Sequence, residues 1–168
     1  MSLSIEKIVV PALTRTLGAM SGILKKGEDH AQQKGFDPLI LVNARLSPDM
    51  HPLKRQVQMT TDTARRVLCQ LGEMDIPSVA DTEETFAELQ ARVQSTLDFV
   101  EAFDKSKLKG AEDRIVTLPI GENGLDLDAM SFLMGFALPN FYFHAAATYN
   151  ILRHNGVAVG KMDFLGAP

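Results

Sequence analysis

The chain has 168 residues, of which 45% are apolar and 23% charged, with a net charge of −4. That length suits one domain over residues 1–168, the composition excludes a disordered chain, and no block of Lys or Arg offers a face for nucleic acid. Cys69 is the single cysteine, which excludes an internal disulfide and a cysteine-only zinc site. One thiol suits a reducing compartment, and Met1–Lys7 carries Glu6 early and lacks the apolar run of a secretory signal. Both point to the cytoplasm.

A first helix is predicted over about Ser4–Lys34. Ile5, Ile8, Ala12, Leu13, Leu17, Met20 and Leu24 recur at three- and four-residue steps and share a face. Pro11 predicts a kink or a late start, and Gly35 a C-terminal stop. Residues 36–51 read as a loop. Ser47 followed by Pro48 reads as an N-cap and first turn of a second helix. That helix carries Leu53, Val57, Thr60, Ala64, Val67, Leu68 and Leu71 and ends at Gly72. The linker around Ile76-Pro77-Ser78 is short, which predicts antiparallel packing of the second and third helices.

Asp81 and Thr82 are candidate caps of the third helix, with Glu83 and Glu84 at its positive end. Phe86, Leu89, Val93, Leu97, Val100 and Phe103 form its stripe. The helical period then breaks. Arg114–Leu118 is short and β-branched, Gly121–Gly124 has turn chemistry, and Leu125–Leu127 alternates, so a small hairpin is expected. A fourth helix follows from about Asp128 to Gly156, which Pro139 kinks or divides. The tail from Gly156 to Pro168 reads as extended or turning backbone.

Ala129–Leu152 carries no Asp, Glu, Lys or Arg and is long enough to span a bilayer. Asn140, His144, Thr148 and Asn150 would be costly against lipid, so a buried central helix is the expectation and no membrane is implied. Four amphipathic helices of this length predict an all-α four-helix bundle with one core.

More than half of the chain's Phe and Tyr residues lie between Phe132 and Tyr149, around the run Pro139-Asn140-Phe141-Tyr142-Phe143-His144. Asn140 and His144 stand four residues apart, about 40° apart on one helical face. That spacing suits two ligands for one ion or two hydrogen-bonding groups for one small molecule. A plain core histidine is the competing reading. His51, beside Asp49, opens the second helix, where a loop can supply polar groups to a pocket. Gly156–Lys161 lacks the spacing and the Ser/Thr of a phosphate loop, and Cys69 has no adjacent histidine.

The run Pro139–His144, then Ile151-Leu152-Arg153-His154-Asn155-Gly156-Val157, then Gly160-Lys161 and Asp163-Phe164-Leu165-Gly166, resembles the C-terminal signature of a bacterial family of unassigned function. That family lies within the DinB/YfiT-like bundle superfamily. Leu46–Met50, with Gln56 and Val57, adds to the resemblance, which covers most of the chain. It implies an up-down-down-up bundle with a short hairpin or extended crossover before the last helix, and a homodimer. Many such bundles hold a divalent metal on three histidines, two of them a His-x-x-x-His pair ahead of Leu-Arg-x-x-Gly. Anchored on Leu152-Arg153 and Gly156, that pair falls on Asn140 and His144, and the second helix offers Gln56 or Gln58 in place of the third histidine. Amide oxygens are poor ligands for zinc or nickel.

The resulting expectation is a metal-free pocket at one end of the bundle that binds a small molecule. Asn140, His144, Tyr142, Gln56, Asp49 and His51 are its lining, and His144 is the best catalytic candidate. The rivals are a metal-dependent hydrolase or thiol transferase and a non-catalytic structural or interaction protein.

Overall fold

A computed structural model describes residues 4–121 and 124–166. Helix α1 spans Ile5–Lys34 and buries Ile5, Val9, Leu13, Leu17, Met20 and Leu24, while Ile8 and Ala12 flank that stripe. Its first N–H donates to Glu112 Oε1 at 3.1 Å, which supplies the cap that Ser4 does not. Pro11 lies inside α1 on the exposed side, and Gly35 closes the helix at φ 73°. A one-turn helix α2 follows at Leu39–Val42, where a loop was expected, and buries Leu41 and Val42.

Helix α3 spans Leu53–Leu71 and starts after Pro52, not at Ser47. The 47–50 segment is a separate turn, closed by the Met50 N–H on the Ser47 carbonyl at 3.0 Å. Helix α4 spans Phe86–Ala102, and its cap is Thr85 rather than Asp81 or Thr82. Thr85 and Glu88 form a reciprocal capping box. Asp81 and Glu83 are drawn instead to arginines: Arg92 meets Asp81 at 3.0 Å and Glu83 at 3.0 Å. These ion pairs hold the approach to α4 extended.

Strands β1 (Ile115–Leu118) and β2 (Leu125–Asp128) form the expected antiparallel hairpin, with Val116 opposite Leu127 and Leu118 opposite Leu125. Val116 and Leu118 point into the core, and Ile115 and Thr117 point out. Of the expected turn, Glu122 and Asn123 lie outside the described residues. Asp128 caps the next helix by accepting the Ser131 N–H at 2.9 Å.

The last helix is continuous but changes pitch. It comprises α5 (Ala129–Phe132), a π turn at Leu133–Ala137, and α6 (Leu138–His154). Pro139 therefore does not divide it. Proline has no N–H to donate and its ring crowds the carbonyl four residues back, and the wider π turn just before Pro139 accommodates both defects. The tail is not wholly extended: helix α7 (Lys161–Leu165) lies on α1, with Lys26 on Asp163 at 2.6 Å and Phe164 edge-on to Tyr149. Among the described residues no helix is long and apolar enough to cross a membrane.

The four long helices close a ring in which α1 packs on α4, α4 on α3, α3 on α6 and α6 on α1. Cross-helix bonds fix their directions. Gln58 meets Glu83, Thr61 meets Arg92 and Arg65 meets Thr96, so α3 and α4 run parallel. The antiparallel expectation from the short linker is thus overturned. The 72–85 connection spans up to roughly 45 Å when extended, enough to return along α3, which is about 28 Å long. Gln56 meets His144 and Thr63 meets Asn140, so α6 opposes α3. A Cβ on Gly27 would meet Phe86 and Leu152 at once, which sets α1 against α4 and alongside α6. The order is up-down-down-up.

Phe86 is 2% exposed at the point where α1, α4 and α6 meet. Phe86→Ala should cost about 3–5 kcal/mol, and Thr85→Ala about 1 kcal/mol through the lost cap. Urea unfolding of both variants checks this, with the Phe86 loss expected to be the larger.

Candidate functional site

One face of α3 carries Gln56, Met59, Thr63, Arg66 and Gln70 at three- and four-residue steps. It faces the aromatic end of α5 and the first turns of α6. Between them lies a cavity of about 240 Å3. Phe132, Phe136 and Met59 supply its apolar wall, and Asn140, His144, Asp62 and Arg66 bring the polar groups. The π turn carries Phe136 and delivers Asn140 and His144 to α3 from a helix that Pro139 would otherwise disturb.

His144 is 5% exposed, and its Nδ1 lies 2.8 Å from Gln56 Oε1. The other end of that amide donates to the His51 carbonyl at 3.2 Å. A carbonyl only accepts, so the Gln56 Nε2 must face it and Oε1 must face His144. Nδ1 therefore donates, and Nε2 is left as an acceptor. Burial pushes the His144 pKa down, and the charges of His51 and Arg55 add to the effect. The ring is neutral at pH 7 with a lone pair on Nε2. Asn140 Nδ2 donates to Thr63 Oγ1 at 3.0 Å, and Thr63 in turn donates to the Met59 carbonyl at 2.7 Å. The Gln70 Oε1 is buried without a hydrogen-bond partner.

Asp62 sits at the cavity edge and accepts from Arg92 Nη2 at 2.6 Å. Burial raises its pKa, and Arg92 opposes that rise.

Of the sequence-predicted residues, Asn140 and His144 line the cavity together. Gln56 stands behind His144 and is 2% exposed. The remaining three lie elsewhere. Tyr142 is two residues from either anchor, about 200° round the helix. It is half exposed on the far side, within range of the Arg15 charge. Asp49 is exposed and bonded to Ser47 Oγ at 2.6 Å, a bond that lowers its pKa. The His51 side chain is exposed, and its backbone carbonyl is what reaches Gln56. Arg55, Thr63, Arg66 and Gln70 are not among the sequence candidates, and their signal is the polar edge of the α3 stripe on the side that meets Asn140 and His144. Phe132 and Phe136 belong to the aromatic cluster visible in the sequence, although neither is singled out there as lining.

This donor set does not fit a three-histidine metal. His144 offers one ring nitrogen. The Gln56 oxygen is occupied by His144, Asn140 is tied to Thr63, and Gln58 turns toward Glu83, in the extended segment ahead of α4, at 2.9 Å. Among the described residues no group of three His, Cys, Asp or Glu side chains stands close enough to hold an ion.

A family model for a domain of unknown function, DUF1993, matches residues 6–165. The chain belongs to this family. A crystal structure of a DinB family member from Shewanella denitrificans is 36% identical and superposes with a TM-score of 0.91, over 98% of this chain and 93% of that one. The DinB-like bundle expected from the tail signature is therefore the fold of this DUF1993 protein. No curated protein matches it.

The depressed His144 pKa fixes a sign. The folded state binds fewer protons at this site than the unfolded chain as pH drops below the ordinary value of 6.5. The histidine contribution to stability is full above 6.5 and falls as pH drops through that value toward the lower folded pKa. Urea unfolding of wild type and His144→Gln between neutral and mildly acidic pH should show a smaller loss in the variant.

Proposed function

We propose that the cavity between α3 and α6 binds a small organic molecule without a catalytic metal. The observation that carries this reading is the convergence of Asn140 and a neutral His144 on one aromatic-walled cavity of about 240 Å3. His144 Nε2 and the unpartnered Gln70 Oε1 accept, and Arg66 donates, so the ligand carries both a donor group and an acidic or carbonyl group. The apolar part lies on Phe132 and Phe136. The Gln56 amide acts through His144, by holding its ring and tautomer. We further propose that the chain acts as one domain and as a cytoplasmic homodimer, with no part for nucleic acid. Exposed Phe143 and Met162, at 58% and 68%, support a partner copy.

A catalytic version of this site is favoured by one observation: a neutral imidazole with a free Nε2 has the form of a general base. A metal-dependent hydrolase or thiol transferase is opposed by the donor set. A purely structural role is opposed by the cavity itself, since a helix seam that serves packing alone would close over it.

Thermal-shift screening of small metabolites against the wild type, followed by titration of the hits, tests the proposal. Asn140→Ala and His144→Ala should each weaken a true ligand about tenfold or more, the loss of one buried hydrogen bond. Elemental analysis of protein purified without chelator should find little metal in either wild type or His144→Ala. Hits unaffected by both substitutions would remove the cavity from consideration, and stoichiometric metal lost with His144 would restore the metalloenzyme.

A further inference from the structure

Two arginines are buried where α3 packs on α4, and their surroundings differ. The Arg92 side chain is 3% exposed and meets three carboxylates: Asp62 at 2.6 Å, Asp81 at 3.0 Å and Glu83 at 3.0 Å. Arg65, one turn along, is 8% exposed and meets no carboxylate within 4.0 Å among the described residues. Its Nε donates to Thr96 Oγ1 at 3.2 Å and its Nη2 to Ser95 Oγ at 3.0 Å. Phe99 covers one face of the guanidinium at 5.3 Å. The third nitrogen, Nη1, makes no hydrogen bond among the described residues.

A largely buried guanidinium without a counter-charge is costly, and buried arginines are ordinarily paired. Burial lowers the Arg65 pKa accordingly. The same burial acts on Arg92, but Glu83 and Asp62 outweigh it and the net shift is upward. Asp62, whose charge acts on Arg65, is committed to Arg92.

Arg65 lines a second cavity, of about 200 Å3, between α3 and the extended 76–79 segment. Arg66 stands beside it, and Asp62 and Ser78 complete the polar rim. Arg66 is exposed and makes no ion pair among the described residues. Two guanidiniums border one small cavity, one of them pre-oriented by Ser95, Thr96 and Phe99, and guanidiniums are the side chains suited to planar or tetrahedral oxyanions.

We propose that this cavity is an anion subsite in which Arg65 and Arg66 hold the oxyanion group of a small ligand, a carboxylate or a phosphate. The oxyanion supplies the counter-charge that Arg92 obtains from protein carboxylates. The subsite shares Asp62 and Arg66 with the α3–α6 cavity, and Arg65, which borders only this one, is the residue whose substitution tells the two apart.

The test replaces chloride with inorganic phosphate, or with acetate, at constant ionic strength and follows Tm of the full chain. Near saturation one of the two oxyanions should raise Tm by about 4 °C over chloride. A response to phosphate alone assigns a phosphoryl ligand, and a response to acetate alone or to both assigns a carboxylate-sized oxyanion. Arg65→Met should abolish the rise. Arg66→Ala, at an exposed position that leaves the core intact, should reduce it at least several-fold, so the result does not depend on the buried variant folding well. Broadening of the free phosphate resonance in phosphorus NMR should follow the same order. Equal Tm in phosphate, acetate and chloride, or a rise that survives both substitutions, would overturn the subsite.

Discussion

The chemistry of the main cavity depends on one side chain, Gln56. Its amide bridges two groups that cannot both be donors or both acceptors: the His51 carbonyl on one side and the His144 ring on the other. Turning the amide over would set its oxygen against the carbonyl oxygen. The backbone at His51 thus selects the amide orientation, the amide selects the imidazole tautomer, and the tautomer leaves an acceptor at Nε2. Burial keeps that ring uncharged. A loop carbonyl, a buried amide and a histidine on three different elements therefore act as a unit. Any change that moves the 49–52 loop also changes what His144 presents to a ligand.

The parallel course of α3 and α4 places the second set of polar groups. A parallel pair requires a connection that travels back along the bundle, and residues 72–85 do so in extended form. Extended chain carries unpaired charge past α3, and the arginines on α3 and α4 gather it. Asp81 and Glu83 are held at Arg92, and Asp81 also reaches Arg55. The pairing stops short of Arg65. The same segment that neutralises one arginine walls a cavity over the other. The fold thus supplies both an acceptor-rich cavity against α6 and a guanidinium-lined cavity against the crossover, with Asp62 and Arg66 between them.

Much of this is legible in the amino-acid sequence. The helical stripes follow apolar periodicity, and the hairpin follows β-branched residues bounded by glycines. Asn140 and His144 were visible as polar residues four apart in an aromatic, uncharged stretch. Tyr142 belongs to the same aromatic run, but helical geometry sets it on the far side from Asn140 and His144, and the structure places it there. The caps were misplaced for one reason. Ser47 and Asp81 have the right chemistry to cap, but Asp49 and the arginines compete for them more strongly than a helix end does. The parallel helix pair follows from the family resemblance but not from the linker, whose turn residues say nothing of the distance it reaches. The π turn at Leu133–Ala137 has no composition of its own, and Pro139 signals only that the regular ladder must yield somewhere.

The account rests on a neutral His144 whose proton sits on Nδ1. Long-range proton–nitrogen NMR of the histidine rings at pH 7 reads this directly. The His144 spectrum should show a protonated Nδ1 and an unprotonated Nε2, and Gln56→Leu should collapse that preference while the bundle stays folded. A protonated Nε2 or a charged imidazolium in the wild type would contradict the account, because the cavity would then present a donor where an acceptor is required.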